Sequence, residues 1–291
     1  MAGGEFIVDE RDSFGRTALH WSAAGEFLIA TRLLLRAGAF VDIEDGMGIT
    51  PIVYAAGTGN VEVVKLLLNF GANVKGTKAL RFAIERSNSP ECVDLLIKAG
   101  AKINKYEEPS LLHIATEKQN IRMMKILLNN GSDVDEPLDS TGQSPLSALL
   151  ESDCCYPQLP VLSVLLENRA YIDDRDSEGR TPLAVAIGVR RRKQVILFLL
   201  QHAADPNIPD RRGCNAPLFL LLMMASSDPG RYHLHSISPW DDDDEVAEIA
   251  QYLLSYGAHP NRRDPCTQAT PLDIAHRRNL NKTMKTLMKY K

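Results

Sequence analysis

The sequence predicts an all-α solenoid of about eight helix-turn-helix repeats joined by β-turns or hairpins, with a long insertion in repeat seven. Two observations predict it. A Thr-Pro-Leu-like element recurs with a period near 33 residues, and a Gly-Ala-like element follows most copies about 21 residues later. Two marks in fixed phase are typical of stacked repeats, in which each repeat packs against its neighbours.

The first mark opens each repeat. Gly15-Arg-Thr17-Ala-Leu-His20 recurs 33 residues later as Gly48-Ile-Thr50-Pro-Ile-Val53. The other copies are Lys78-Ala-Leu80, Ser110-Leu-Leu-His113, Ser144-Pro-Leu146, Thr181-Pro-Leu183, Ala216-Pro-Leu218 and Thr270-Pro-Leu272. The second mark reads Gly38-Ala, Gly71-Ala, Gly100-Ala, Gly131-Ser, Arg169-Ala, Ala203-Ala and Gly257-Ala. The repeats therefore start near residues 12, 45, 75, 105, 139, 176, 210 and 264.

Local chemistry explains the order of elements within a repeat. A Thr or Ser before Pro-Leu can cap the first helix, where Pro at the first helical position loses no needed amide donor. In repeat two, Ile52, Ala55 and Ala56 lie on one face of that helix. The second helix, Val61–Leu68, has an apolar stripe at helical spacing, and Gly71 supplies the left-handed residue that closes it.

This pattern resembles the ankyrin repeat family. The matching elements are Thr17-Ala-Leu-His20, Gly71-Ala-Asn-Val74 and Ala204-Asp-Pro-Asn207, and the resemblance covers about residues 9 to 290. It implies a stack of helix pairs that binds other proteins through its turn tips and the ends of its first helices. It also implies that His20 and His113 bridge backbone groups of neighbouring repeats.

The chain is expected to contain one repeat domain over residues 9–291, preceded at residues 1–8 by a leader or a remnant of an expression vector. The step from Thr50 to Lys78 is only 28 residues, so the turn before repeat three must be shortened. Insertions are predicted at 153–160 in repeat five and at 226–244 in repeat seven.

The second insertion supports two interpretations. In one, it is a solvated loop whose acidic end, Asp241–Glu245, caps the following helix. In the other, Tyr232 and Trp240 are anchors for a basic partner that the charge run steers.

Charge, cysteine content and the length of apolar runs argue against several classes of protein. The net charge of −4 gives no general attraction to nucleic acid or anionic lipid. Five cysteines, an odd number without a CxxC motif, indicate reduced thiols in the cytoplasm or nucleus. No apolar run reaches the ~18 residues of a membrane span, and the N-terminus does not have the pattern of a signal peptide.

No motif indicates an enzyme, a metal or another cofactor. His233 and His235 lack a third ligand at diagnostic spacing, and the adjacent Cys154 and Cys155 suit neither zinc nor a disulfide. Arg190-Arg-Arg-Lys193 is interpreted as a solvated turn, with a nuclear-import or nucleic-acid patch as the alternative. Nucleic-acid, small-molecule and membrane-inserted partners are not expected.

Contact positions of the resembled family, together with arginines clustered in the last three repeats and the Trp240 anchor, give the candidate partner-binding residues. They are Phe14, Arg16, Met47, Ile49, Thr58, Arg86, Tyr106, Lys118, Arg180, Arg191, Arg211, Arg212, Trp240, Arg277 and Arg278. Trp21 and Tyr54 fall at an inner-helix position that is usually core, so they are left out.

The first two repeats offer apolar contacts and the last three offer arginines. This gradient predicts a non-enzymatic interaction module that binds an extended or tail-like segment, apolar at one end and acidic or phosphorylated at the other. The alternatives are a substrate receptor of a ubiquitin ligase complex and a scaffold for a membrane-skeleton or channel protein.

Overall fold

The computed structural model describes residues 7–290 except 77, 104–108, 139–140, 152–158, 189–192, 212, 214–215, 226–241 and 266–267. The described chain divides into two compact parts, an N-terminal body (Met1–Asp133) and a C-terminal body (Val134–Lys291). The predicted all-α class is confirmed. The prediction of one repeat domain over residues 9–291 stays a prediction.

The described residues of each body form four successive helix pairs. The N-terminal body has α1 (Ala18–Ala24), α2 (Leu28–Arg36), α3 (Pro51–Thr58), α4 (Val61–Asn69), α5 (Ala79–Phe82), a π-helix (Ala83–Ser87), α6 (Pro90–Lys98), α7 (Leu111–Glu117) and α8 (Ile121–Asn129). The C-terminal body has α9 (Pro145–Glu151), α10 (Leu159–Glu167), α11 (Pro182–Gly188), α12 (Lys193–Gln201), α13 (Pro217–Met224), α14 (Asp243–Ser255), α15 (Pro271–Arg277) and α16 (Asn281–Lys289). None of the described helices is long and apolar enough to span a membrane.

Within each body, the first helix of each pair, here called the inner helix, packs against the inner helices of neighbouring pairs. Ile52, Ala55 and Ala56 of α3 are fully buried, as the helical spacing predicts. The small alanines permit close approach of α1 and α3. The second, or outer, helix buries Val63 and Leu67 of α4. Full burial of one such aliphatic side chain contributes about 1.5–3 kcal/mol.

Backbone amides link successive repeats through a side chain that follows the second mark. A carboxylate or amide oxygen accepts the amide of a residue in the next repeat, at 2.9 Å from Asp42 to Asn73 and at 3.0 Å from Asp173 to Asp205. Asn207 and His259 make the same bond at 3.0 Å. These links were not predicted, although the acceptor Asp42 is part of the Gly-Ala-x-Val-Asp motif that begins at Gly38.

Repeat three departs from the others in its inner helix. Helix α5 has four residues and continues as the π-helix, whose end is closed by Asn88 in the left-handed region. Ser87 donates its hydroxyl to the carbonyls of Ala83 and Ala56 at 2.8 and 2.9 Å. Repeat three therefore combines the shortened turn that was predicted with an irregular helix that was not.

The two predicted insertions end inside helices. Helix α10 begins at Leu159 and α14 begins at Asp243, so the last two residues of each predicted insertion are helical. Apart from Asp242, the rest of both insertions, including Tyr232 and Trp240, lies outside the described residues.

The acidic run at the end of the second insertion caps two helices. Asp242 accepts the amide of Asp244 at 2.9 Å and caps α14, as the first interpretation expects. Asp243 accepts the amides of Lys282 and Thr283 at 2.6 and 3.1 Å, in the first turn of α16. The residue before α16 is Leu280, whose side chain cannot cap, so α14 supplies the acceptor.

The second mark closes the outer helices with a left-handed residue. Gly71 has a φ of 87°, and Arg169 and Ala203 adopt φ of 67° and 69° at the equivalent positions. For a residue with a Cβ, this conformation is less stable than the right-handed one by about 1–2 kcal/mol.

Exchanging the residue types at two of these positions tests that cost. Ala203→Gly is expected to stabilise the protein by about 0.5–1 kcal/mol, and Gly71→Ala to destabilise it by about 1 kcal/mol. Both residues are exposed, and a Cβ on Gly71 would meet nothing within 4 Å, so packing does not contribute. Urea unfolding followed by circular dichroism measures both changes. Loss of stability in Ala203→Gly would contradict the strain argument.

Candidate interaction surface

A carboxylate closes the turn at the start of repeats one and two. Asp12 accepts the amides of Phe14 and Arg16 at 2.8 and 2.9 Å, and Asp45 accepts the amides of Met47 and Ile49 at 2.8 and 3.0 Å. An Asp side chain that bonds the backbone two residues later is the defining feature of an Asx turn. Phe14 and Met47 therefore occupy turn tips of fixed geometry.

Adjacent tips are bonded to each other. The amide of Gly46 donates to the carbonyl of Phe14 at 2.9 Å, and a Cβ on Gly46 would lie 2.9 Å from that oxygen. Only glycine lets the two backbones come this close. The tips of repeats one and two consequently form one continuous edge.

An arginine between two aromatic rings extends this edge. The guanidinium carbon of Arg16 lies 4.6 Å from the ring centroid of Phe14 and 4.1 Å from that of Trp21. Asp12 fixes the cluster, because its Oδ2 accepts Arg16 Nε and Trp21 Nε1, both at 3.1 Å. Cation–π stacking and these bonds hold the two aromatic side chains in place.

The expectation that Trp21 belongs to the core is wrong. The residue is 53 % exposed. Its indole lies along the surface because its N–H reaches the Asp12 carboxylate and its ring stacks on Arg16. Helical spacing places Trp21 on the inner helix but carries no information about these two partners.

Tyr54 is also part of this surface, at the base of a shallow depression. Its hydroxyl donates to Asp45 Oδ2 at 2.7 Å. Burial alone would raise the pKa of Asp45. The hydrogen bonds from the Tyr54 hydroxyl and the two backbone amides outweigh this effect, so the pKa of Asp45 lies below its ordinary value. The depression has a volume of about 380 Å³ and is lined by Ser13, Phe14, Gly15, Arg16, Asp45, Gly46, Met47 and Tyr54.

We call Phe14, Arg16, Trp21, Met47 and Tyr54 the N-terminal cluster. The neighbouring carboxylates of Asp12 and Asp45 are engaged by internal donors, while Phe14 and Met47 are 67 % and 80 % exposed. The open part of the surface is therefore apolar and aromatic, and it suits an apolar side chain of a partner.

The other predicted residues are distributed over both bodies. Ile49 is only 4 % exposed, so its side chain is not available to a partner, contrary to the prediction. Thr58 is exposed but donates to the carbonyl of Ala55 at 3.0 Å. Arg86 stacks on the ring of Phe82 at 4.4 Å, and Lys118 donates to the carbonyl of Glu85 at 2.6 Å.

In the C-terminal body two of the predicted arginines, Arg180 and Arg211, bond to neighbouring residues. Arg180 pairs with Asp176 and Glu151 at 2.8 and 3.0 Å, and Arg211 donates to the carbonyl of Ser177 at 3.4 Å. Arg277 is exposed and Arg278 is partly exposed. The remaining candidates lie outside the described residues: Tyr106, Arg191, Arg212 and Trp240.

Within the part of the chain that the structure describes, no group of three His, Cys, Asp or Glu residues could hold a metal ion. The four residues weighed for such chemistry lie outside it: Cys154, Cys155, His233 and His235.

His20 ties the inner helix of repeat one to the tip of repeat two. Its Nδ1 accepts the amide of Thr17, and its Nε2 donates to the carbonyl of Ile49, both at 3.0 Å. The predicted bridge between neighbouring repeats is therefore confirmed for His20. His113 bonds the hydroxyl of Ser110 through Nδ1 at 2.8 Å.

Comparison with known proteins identifies the family. Residues 28–107, 80–176 and 112–210 match the family model for ankyrin repeats, which covers more than half of the chain. The chain belongs to the ankyrin repeat family. Ankyrin repeats are interaction modules that bind other proteins.

The chain is similar to Inversin of Canis lupus familiaris, with 30 % identity over 64 % of this chain and 18 % of that protein. It thus spans about a fifth of that relative's length. The ankyrin repeat domain of Bcl-3, a member of the IkappaB protein family, matches 71 % of this chain and 94 % of its own, with a TM-score of 0.58 and 25 % identity. The human ASB11 ankyrin repeat domain matches 95 % of this chain and 98 % of its own, with a TM-score of 0.52 and 22 % identity, and supports the fold alone.

The His20 bridge predicts a pH dependence of stability. Burial lowers the pKa of His20 below its ordinary 6.5, so the folded protein resists protonation that the unfolded chain accepts. Stability is therefore complete above about pH 6.5 and falls as the pH drops below it. Protonation of Nδ1 would also remove the hydrogen bonds that it accepts from the amide and the hydroxyl of Thr17 in the neutral form.

Urea unfolding at about pH 7.5 and about pH 5.5 measures the effect. His20→Gln should lower stability at the higher pH and reduce the loss on acidification. His259→Gln, at an exposed position, is the matched control and should leave the pH dependence unchanged. An equal pH dependence in wild type and His20→Gln would refute the assignment.

Proposed function

We propose that this chain is a non-enzymatic protein-interaction module that holds an extended or tail-like segment of a partner against its turn tips and inner helices. The observation that carries the proposal is the N-terminal cluster. It exposes Phe14, Trp21 and Met47 on backbone that internal hydrogen bonds hold rigid. A partner that covers these side chains gains apolar burial without having to order them.

The composition of the cluster fits the residues that carry binding energy in interfaces. Trp, Tyr and Arg are enriched among hot spots, and well-packed aromatic side chains lose little conformational entropy on binding. Asp12 neutralises the charge of Arg16. The guanidinium of Arg16 lies between the rings of Phe14 and Trp21 and keeps them apart. The preferred contact is therefore an apolar side chain that enters beside Met47 and Tyr54.

The acidic or phosphorylated part of the partner is proposed to bind at Arg277 and Arg278 in the C-terminal body. Arg180 is unsuited to this role, because Asp176 and Glu151 already bind its guanidinium. Arg277 is exposed at the end of α15. Arginine there offers planar, bidentate recognition of a carboxylate or phosphate.

Two alternatives are specialised forms of the same function. One is a substrate receptor of a ubiquitin ligase complex, and the other is a scaffold for a membrane-skeleton or channel protein. Each would use the same binding surface and differ in the identity of its partner. The N-terminal cluster supports recognition of an apolar segment in all three cases.

The role of the N-terminal cluster predicts which variants lose binding. Short random peptides displayed on phage are selected on the full chain, and a selected peptide is then titrated by fluorescence anisotropy. Met47→Asp and Trp21→Ala should each raise its Kd by about tenfold or more, because each removes an apolar contact at the centre of the surface. Met47 is 80 % exposed, so its replacement should not affect folding.

Leu33→Ala is the matched control, since Leu33 is an exposed apolar residue of outer helix α2. Its Kd should stay within about twofold of wild type. If Met47→Asp and Trp21→Ala bind as wild type does, the cluster is not the binding surface.

The acidic end of the partner is tested by charge reversal. Affinity purification from lysate with wild type and with Arg277→Glu/Arg278→Glu, read by mass spectrometry, should show partners that the variant loses. Arg32→Glu/Arg36→Glu, on exposed positions of α2, makes the same change of charge elsewhere and should retain them. Identical partner lists for the Arg277/Arg278 variant and wild type would remove these arginines from the proposal.

A further inference from the structure

One cation in repeat three is held in place without an acidic partner. The guanidinium carbon of Arg86 lies 4.4 Å from the centroid of the Phe82 ring, and its side chain is exposed. Within the described residues Arg86 makes no hydrogen bond or ion pair. Stacking on an aromatic face holds the planar group while its edge donors stay open to solvent.

Neighbouring cations of the N-terminal body are engaged differently. Arg16 pairs with Asp12 at 3.1 Å, and Arg81 pairs with Glu85 at 2.7 Å. Glu85 is adjacent to Arg86 in sequence, but its carboxylate is bound by Arg81, one helical turn earlier. The charge of Arg86 is therefore the one left for a ligand among these three.

The stack lies close to the N-terminal cluster, because both contact helix α3. A Cβ on Gly57 would lie 3.3 Å from the ring of Phe82 and 3.5 Å from Cδ of Arg86. Gly57 and Tyr54 are three residues apart in α3 and so share a face of this helix. The open guanidinium edge and the apolar depression at Tyr54 thus lie within reach of one short peptide.

Arg86 lies in the π-helix of repeat three. Residues Ala83–Ser87 follow the four residues of α5, and Phe82 and Arg86 lie on either side of the junction. Such π-helical turns inside helices recur at functional sites. Repeat three therefore differs from its neighbours at the place where the stacked arginine faces outward.

We infer that Arg86 selects an aspartate or glutamate in the bound segment, close to the apolar side chain that the depression at Met47 and Tyr54 receives. The inference rests on the proposed function and adds a chemical class to it. A carboxylate matches the two parallel donors of a guanidinium edge. The part of the partner segment that binds the first three repeats is then acidic as well as apolar.

The test compares how Arg86 variants bind a peptide with and without its acidic residue. Short random peptides displayed on phage are selected on the full chain, and the dominant peptide is synthesised with its acidic residue as Asp and as Asn. Fluorescence anisotropy then gives the Kd of each peptide for wild type, Arg86→Gln and the control Arg32→Gln. Arg32 is an exposed cation on outer helix α2, so the control makes the same change of charge away from the site.

Wild type and Arg32→Gln should bind the Asp peptide about fivefold to tenfold more tightly than the Asn peptide. Arg86→Gln should bind both with similar Kd, since the partner of the acid is gone. Arg86→Lys should retain part of the preference, because it keeps the charge and loses the planar fork. A structural role of Arg86 alone would weaken both peptides equally and leave the preference intact.

Three results would overturn the inference. Selected peptides without acidic residues, an unchanged Asp preference in Arg86→Gln, or an equal loss of preference in Arg32→Gln each contradict it. If the selected peptides bind Met47→Asp more weakly than wild type in any of these three cases, the proposed function survives and only the selection of an acidic residue by Arg86 fails. If no peptide is selected above background, both fail.

Discussion

The surface of the N-terminal body depends on how two aspartates close their turns. Asp12 and Asp45 each accept two backbone amides and one aromatic donor, the Trp21 indole N–H in one case and the Tyr54 hydroxyl in the other. Acceptors of this kind fix the turn and the aromatic ring together. Because the polar groups are used internally, the exposed remainder of each tip is apolar.

The same turn gives a different surface in the C-terminal body. Asp176 accepts the amides of Glu178 and Arg180 at 3.0 and 2.8 Å, as Asp12 and Asp45 do in their turns. Here the tip residue is Glu178, and Arg180 adds ion pairs to Asp176 and Glu151. The same turn therefore presents apolar side chains in the first repeats and an internally paired arginine later. In the proposed function, the tip residues rather than the fold set what each repeat recognises.

Periodic features could be predicted from sequence, and unique partners could not. The recurring marks predict the helix pairs, the left-handed residues at Gly71 and Ala203, and the buried face of α3, since each follows from local geometry. Trp21 was misplaced because its partners Asp12 and Arg16 are set by the turn rather than by helical spacing. Capping of α16 by Asp243 joins residues about 40 positions apart, which no local pattern reveals.

Methionine methyl NMR of the full chain, titrated with a selected peptide, tests the central claim most directly. Met47 is 80 % exposed at a turn tip, whereas Met123 and Met124 are fully buried in α8. The account predicts that the Met47 methyl signal shifts to saturation with the same Kd that anisotropy gives, while the two buried signals stay in place. A saturating shift confined to Met284 and Met288 of α16, with Met47 unmoved, would contradict it.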